Sequence, residues 1–149
     1  MSISAKAYFS QAYLIDQKIN SGIEELNQLR LLMMSIPAVK ISDQVQTSVN
    51  TGAFFEKTYM KVEALEKKLD EQIDIYVDLK EQMRRTIDSL QNPDEKMVLF
   101  YRYFLWKSIA QIGAKMNVTK RSVCRWHKAA LEHVVLPEKP IIIKRDLTV

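Results

Sequence analysis

A seven-residue repeat of apolar side chains dominates the middle of the chain, between residues 54 and 91. It runs through six positions without a miss, at Phe55, Val62, Leu69, Tyr76, Met83 and Leu90. Such a repeat is typical of a long helix with one apolar stripe. At about 1.5 Å per residue the helix would be roughly 55 Å long. That is too long for a small domain to cover the stripe, so the helix must pair with another helix.

Residues 5 to 36 supply a candidate partner. Two apolar series lie three residues apart, and only Gly22 contributes no side chain; they are Ala5, Ala12, Ile19, Leu26 and Met33, and Tyr8, Ile15, Gly22, Leu29 and Ile36. This predicts a first helix that ends before Pro37, because a proline disfavours helix at the preceding residue. Residues 37–53 are predicted to form a loop, with a short extended piece at Val45 to Val49. The two helices could form an antiparallel hairpin, or a second chain could supply the partner.

Composition excludes several classes of protein. A single cysteine, Cys124, excludes a disulfide scaffold and a cysteine-based metal site. The chain has three glycines, no apolar run of about 18 residues and no basic-then-apolar N-terminus. These features predict a cytoplasmic protein without a phosphate loop or a membrane span. His127 and His133 lack nearby ligand partners, and no motif carries catalysis, so the sequence predicts no metal, no cofactor and no enzyme.

Positive charge is concentrated in the last third of the chain. Residues 1–54 carry four basic and four acidic side chains, residues 55–92 carry seven and nine, and residues 93–149 carry eleven and five. The window 106–131 contains six lysines and arginines and no acidic residue. This is the pattern expected of a surface that binds nucleic acid, although an ordinary solvated face is the alternative.

A helix is predicted to begin at Asn92-Pro93-Asp94-Glu95. Asn92 suits the N-cap and Pro93 the first helical position, and Glu95 would complete a capping box. The helix would run from Pro93 to about Leu105. It is apolar around much of its circumference, which predicts that it is largely buried.

The next 26 residues have the spacing of a helix-turn-helix. Two short helices are predicted, Ser108 to Met116 and Lys120 to about His133, joined by Asn117-Val118-Thr119. Asn117 tolerates the left-handed backbone of a tight turn, Thr119 suits the N-cap of the second helix, and Gly113 leaves room where two helices approach. The predicted inward face consists of Ile109, Ile112, Met116, Val118, Val123, Trp126 and Ala130.

The outward face is predicted to bind double-stranded DNA. In such motifs the N-terminal residues of the second helix meet base edges in the major groove. Lys120, Arg121, Ser122 and Arg125 occupy that position, and Arg can grip guanine with two hydrogen bonds. Thr119 and the helix N-terminus suit a phosphate, as do Lys107, Lys115 and Lys128. A helical hairpin that only packs is the alternative.

At these residues the chain resembles region 4 of bacterial sigma factors. The resemblance is carried by V-L-F-Y-R-Y-F, by S-I-A-Q-I-G-A-K-M-N-V-T-K-R-S-V and by W-H-K-A-A-L. Gln111-Ile112-Gly113 replaces the E-I-A element of that region, and Asn117 stands at its glycine. Nothing upstream is similar to sigma region 2, so the resemblance does not imply a complete sigma factor.

Nearly the whole chain is similar to the ArpU- and RinA-type late transcription regulators of phages and prophages. The similar stretches are Y-L-I-D-Q-K-I at 13–19, V-Q-T-S at 45–48 and R-W-H-K-A-A-L at 125–131. The resemblance implies regulation of late phage genes, with contact to RNA polymerase as a further expectation.

The sequence therefore predicts an all-α protein in three parts. Residues 1–91 would be a coiled-coil arm that forms a homo-oligomer or binds a partner, 92–136 the helix-turn-helix domain, and 137–149 a tail. The tail could add an edge strand, bind a partner or stay disordered. The favoured function is sequence-specific regulation of transcription. The alternatives are a module that docks on RNA polymerase or another regulator, and a recognition subunit for phage DNA packaging.

Overall fold

The computed structural model describes residues 2–42 and 48–143, and side chains at 2–35 and 52–143. These residues form five helices and no strand, which confirms the all-α prediction. The helices are α1 (Ala5–Ser42), α2 (Ser48–Asp88), α3 (Pro93–Tyr103), α4 (Ile109–Met116) and α5 (Lys120–His133). Within the described ranges, no helix combines the length and the apolar character that crossing a membrane requires.

The predicted loop at 37–53 is mostly helix. Helix α1 continues past Pro37 to Ser42, and α2 begins at Ser48, seven residues before Phe55, the first member of the apolar repeat. A proline disfavours helix at the residue before it, but a helix can continue through one at a cost of about 3 kcal/mol, for a lost backbone hydrogen bond and a clash of the ring with the preceding turn. Of the predicted extended piece, Val49 lies in α2, while residues 43–47 fall outside the described residues.

The chain divides into two compact units, one built from Met1–Ile15 with Tyr76–Val149 and one from Asp16–Ile75. The second is an antiparallel helical hairpin, because residues later in α1 contact residues earlier in α2. A Cβ on Gly22 would meet Leu69, and Arg30 pairs with Glu66. The buried core of this hairpin is Leu26, Val62 and Leu69, against which Leu29, Met33 and Leu65 pack.

Gly22 has a packing role in the hairpin unit. A Cβ added there would lie 2.4 Å from Leu69 Cδ2, so the Leu69 side chain occupies the space that a side chain at position 22 would need. The gap that Gly22 leaves in the second apolar series of α1 therefore matches a large residue, Leu69, on the facing helix. The predicted pairing of the two helices is confirmed here, and it is made within one chain.

The first unit is built around aromatic rings from the start of α1 and from α3. Tyr8 and Phe9 are fully buried, with ring centroids 5.2 Å apart. Phe9 stacks on Tyr103 of α3 at 5.3 Å, and Tyr8 Oη donates to Gln82 Oε1 of α2 at 2.8 Å. Burial also raises the pKa of Tyr8 to about 12. The start of α1, the end of α2 and α3 thus share one core.

The start of α3 is capped as predicted, but Glu95 has a different role. Asn92 Oδ1 accepts from Asp94 N at 2.9 Å, and Pro93 occupies the first helical position. Glu95 does not complete a capping box. Its buried carboxylate lies 3.1 Å from Nδ1 of His133, at the end of α5. A local motif cannot predict a partner that lies 38 residues away in the sequence.

Residues 139–143, here called the C-terminal strap, form no strand but are held by two glutamines. Gln82 donates to the carbonyl of Lys139 at 3.0 Å and accepts from Ile141 N at 2.9 Å. Gln11 donates to the carbonyl of Ile141 at 2.6 Å and accepts from Ile143 N at 3.0 Å. Each amide side chain therefore binds backbone groups two residues apart, as a neighbouring β-strand would.

Candidate nucleic-acid interface

Helix α4 begins with a capping box. Ser108 Oγ accepts from Gln111 N at 3.2 Å, and Gln111 Oε1 accepts from Ser108 N at 2.9 Å. This satisfies two backbone donors, one of them in the first turn of α4, and explains why the helix begins at Ile109 rather than at Ser108. The S-x-x-Q pattern of residues 108–111 is the sequence signal of this box, and the predicted helix start at Ser108 is one residue early.

The turn between α4 and α5 has the geometry that its residues predict. Asn117 adopts the left-handed conformation, with φ 56° and ψ 44°, and Val118 N donates to Gly113 O at 2.9 Å. A Cβ on Gly113 would lie 2.9 Å from the carbonyl oxygen of Val118. Since that contact is with backbone, the glycine permits the tight approach of the turn to α4.

The inward face packs as predicted. Ile112 and Val123 are fully buried together with Val98 of α3. Ala130 is also fully buried, and the remaining predicted residues are half-buried, with Ile109, Met116, Val118 and Trp126 in contact with that cluster. The packing of α3 behind the motif leaves the other side of α5 to solvent.

That other side carries most of the predicted DNA-binding residues. Lys120, Arg121, Arg125 and Lys128 are exposed on α5, and Lys115 is exposed in the last turn of α4. These five residues are here called the basic face. Among residues whose side chains the structure describes, none of the five pairs with a carboxylate. The cations are therefore available to a ligand with negative charge.

The other three predicted residues lie at the margins of this face. Thr119 is the N-cap of α5, and its Oγ1 accepts from Ser122 N at 3.2 Å. The half-buried Ser122 also places its hydroxyl 3.1 Å from that of Thr119. Lys107 lies in the linker before α4, half-buried, and its carbonyl accepts from Arg102. The hydroxyl groups of Thr119 and Ser122 thus both take part in hydrogen bonds at the start of α5.

His127 ties α5 to α3 behind the basic face. Its Nε2 lies 2.8 Å from Tyr103 Oη, and the two rings stack at 5.7 Å. Burial, and then the positive charges of Arg102 and Lys6, hold the pKa of His127 below its ordinary value. His127 therefore binds a proton less readily than a solvent-exposed histidine does. Within the described residues, no group of three or more His, Cys, Asp or Glu side chains is placed to hold a metal ion.

Comparison with known proteins identifies a family but no characterised relative. One family model, described as "Protein of unknown function (DUF1492)", matches residues 33–134, which include the helix-turn-helix. No curated protein and no solved structure matches the chain.

Proposed function

This chain belongs to the DUF1492 family of proteins of unknown function, and we propose that it is a sequence-specific DNA-binding regulator of transcription. The basic face carries the proposal, since it places exposed cations, none of them paired with a carboxylate among the described residues, on a packed helix-turn-helix. In such motifs the second helix enters the major groove. Here that helix is α5, and the ligand is double-stranded DNA.

The position of each residue supports a division of roles. Arg121 and Arg125 are four residues apart on α5, so they share one exposed side and suit guanine edges. Lys120 and Ser122 flank Arg121 in the first turn. Lys107, Lys115 and Lys128 suit phosphates, which add affinity without sequence information. Thr119 supports a phosphate contact by capping α5, whose first N–H groups lack partners within the helix.

The target genes and the protein partner come from the resemblances. Similarity to the ArpU- and RinA-type regulators supports phage or prophage late genes as the target. Similarity to sigma region 4 supports contact with RNA polymerase. A regulator of this kind acts in the cytoplasm and needs no cofactor.

The test is selection of bound sites from random DNA, followed by affinity measurements at several salt concentrations. Replacing both Arg121 and Arg125 with Ala should weaken binding to the selected site at least about 30-fold, because each bidentate arginine contributes about 1–3 kcal/mol of discrimination. Lys57→Ala with Lys61→Ala removes two exposed charges from α2 and serves as the control. Equal affinity of the arginine variant and the control for the selected site would refute the proposal.

A second function, a module that binds protein, is favoured by the exposed apolar side chains of the hairpin unit. Met34, Leu31 and Met60 are 75%, 66% and 65% exposed. Apolar patches on a surface mark sites of association. The partner would be RNA polymerase, another regulator or further copies of the chain, and a ring of copies would favour DNA packaging. Co-purification with polymerase and no salt-sensitive DNA binding would favour this function over the first.

A further inference from the structure

A pocket of about 410 Å³ opens beside the linker between α3 and α4. Its lining comprises Ser10 and Tyr13 from α1, Arg102 and Tyr103 from α3, and Trp106 from the linker. All five belong to the same compact unit. The lining offers three aromatic rings, three hydroxyl groups (on Ser10, Tyr13 and Tyr103) and one guanidinium, and no carboxylate is among these residues. Such a combination is typical of a site for a small molecule, in which a few polar groups orient an apolar ligand.

Trp106 is held in an unfavourable backbone conformation. Its φ is 53°, a left-handed value that costs a residue with a side chain about 1–2 kcal/mol. The neighbouring Lys107 is fixed on both sides, since its N–H donates to Tyr101 O at 2.9 Å and its carbonyl accepts from Arg102 Nη1 at 3.1 Å. Strained residues of this kind cluster at functional sites. The hydrogen bonds of Lys107 fix the backbone next to Trp106, whose indole ring lines the pocket.

The rings of Tyr13 and Trp106 meet edge to face, with centroids 5.2 Å apart and planes at 74°. Both side chains keep exposed surface, because Tyr13 is 47% exposed and Trp106 is half-buried. A planar ligand can therefore lie on the face of one ring and meet the edge of the other. Tyr103, stacked between Phe9 and His127, forms a rigid floor.

The lining of the pocket carries one positive charge, that of Arg102. Arg102 has five N–H donors, and its bond to the linker uses one nitrogen. Arg102 and Lys6 together help to lower the pKa of His127, which hydrogen-bonds to the floor residue Tyr103. A negatively charged group would be stabilised here, and the planar fork of an arginine matches a phosphate or carboxylate.

We propose that this pocket binds a nucleotide, with the base against Tyr13 and Trp106 and the phosphate against Arg102. Stacking of a base on an aromatic side chain contributes about 1–3 kcal/mol, and the volume lies in the range of about 300–1,000 Å³ that small-molecule sites occupy. The same base and phosphate could come from a free nucleotide or from an unpaired nucleotide of a strand. The site is separate from the basic face, so it does not depend on binding of duplex DNA by α5.

The experiment uses the fluorescence of Trp106. The chain has two tryptophans, so Trp126→Phe leaves Trp106 as the only one. Adenosine monophosphate should change this fluorescence to saturation, with adenosine and inorganic phosphate each binding at least about tenfold more weakly, because neither offers both groups. The melting temperature of the unmodified protein should rise with the nucleotide, which gives a second measurement if the variant folds poorly.

Two arginine variants make the test specific. Arg102→Gln should weaken nucleotide binding at least about tenfold, the loss expected when hydrogen bonds to a charged group are removed. Arg121→Gln removes an arginine of the basic face and should keep nucleotide affinity while it loses DNA affinity. Its result therefore separates a failure of this proposal from a failure of the proposed function.

Three further outcomes either identify the source of the nucleotide or overturn the proposal. A short oligodeoxyadenylate that binds more tightly than the mononucleotide, with the same dependence on Arg102, supports the site and identifies a strand as the source. Equal affinity for adenosine and its monophosphate overturns the phosphate contact. No saturable signal and no rise in melting temperature up to roughly 10 mM of either ligand overturns the proposal.

Discussion

Gly113 is the residue on which the geometry of the helix-turn-helix depends most directly. Gly113→Ala should destabilise the protein by about 1–3 kcal/mol, because the new Cβ would lie 2.9 Å from a backbone carbonyl that cannot move without opening the turn. Chemical denaturation measures the change. Gly52→Ala is the matched control, since nothing lies within 4 Å of a Cβ there, and it should instead stabilise α2 by about 0.5–1 kcal/mol. Two changes of the same sign would contradict the packing described at the turn.

His127 should make stability depend on pH. Its pKa in the folded protein is below the ordinary value of 6.5, mainly through burial. The unfolded chain therefore binds the proton first, so stability is complete above about pH 6.5 and falls as the pH drops below it. Urea unfolding between pH 8 and pH 5 should show this fall.

His127→Gln keeps a polar partner for Tyr103 and should flatten the pH dependence in that window. The variant shares every carboxylate with the original protein, so the difference between the two slopes isolates the histidine. Identical slopes would mean that His127 takes up its proton equally easily in the folded and unfolded chain.

The C-terminal strap is an element whose backbone groups are bound by the side chains of Gln11 and Gln82. Replacing both Gln11 and Gln82 with Ala removes four hydrogen bonds to it, each contributing about 0.5–1.5 kcal/mol. Hydrogen exchange at the amides of Ile141 and Ile143 should accelerate strongly. Gln28→Ala, at an exposed position of α1, should leave both amides protected. Slow exchange that persists in the double variant would show that the strap is held by other contacts.

The elements differ in how far the sequence predicts them. Helices α3, α4 and α5 follow closely from their local signals, because caps, turn residues and apolar spacing all lie within a few positions of each other. The end of α1 does not, since Pro37 only biases the backbone and the helix continues. The Glu95–His133 contact and the two strap glutamines join residues 38 to 132 positions apart. No local pattern encodes such partners.

For the candidate sites as well, local sequence patterns predict one part, the basic face, and not the other, the pocket. The basic face was predicted residue by residue, because outward positions on a helix follow once the inward positions are known. The pocket at Trp106 was not predicted, since its five lining residues come from two distant parts of the chain. The left-handed backbone of Trp106 is also unexpected, because a bulky residue is rarely found there.

For the whole molecule, the exposed apolar side chains of the hairpin unit predict association with further copies. Light scattering should give a mass above that of one chain, 17.4 kDa. Leu31→Glu with Met34→Glu should lower the mass to that of a monomer without loss of helicity, because charge at an apolar interface is costly. Ser21→Glu with Asn27→Glu adds the same charge at exposed polar positions of α1 and should not change the mass. A monomer before any substitution would exclude self-association.

The core that joins Tyr8 and Phe9 to later helices can form only after those helices have been synthesised. Tyr8 contacts Gln82, which is 74 residues further along, and Phe9 contacts Tyr103. At about 5–20 residues per second, a ribosome needs several seconds to make the intervening chain. For that time two large aromatic side chains, later fully buried, lack the α2 and α3 residues that they contact in the folded protein. We expect a nascent chain halted before residue 82 to bind a chaperone at its first fifteen residues, and the released chain of 149 residues to be free of it.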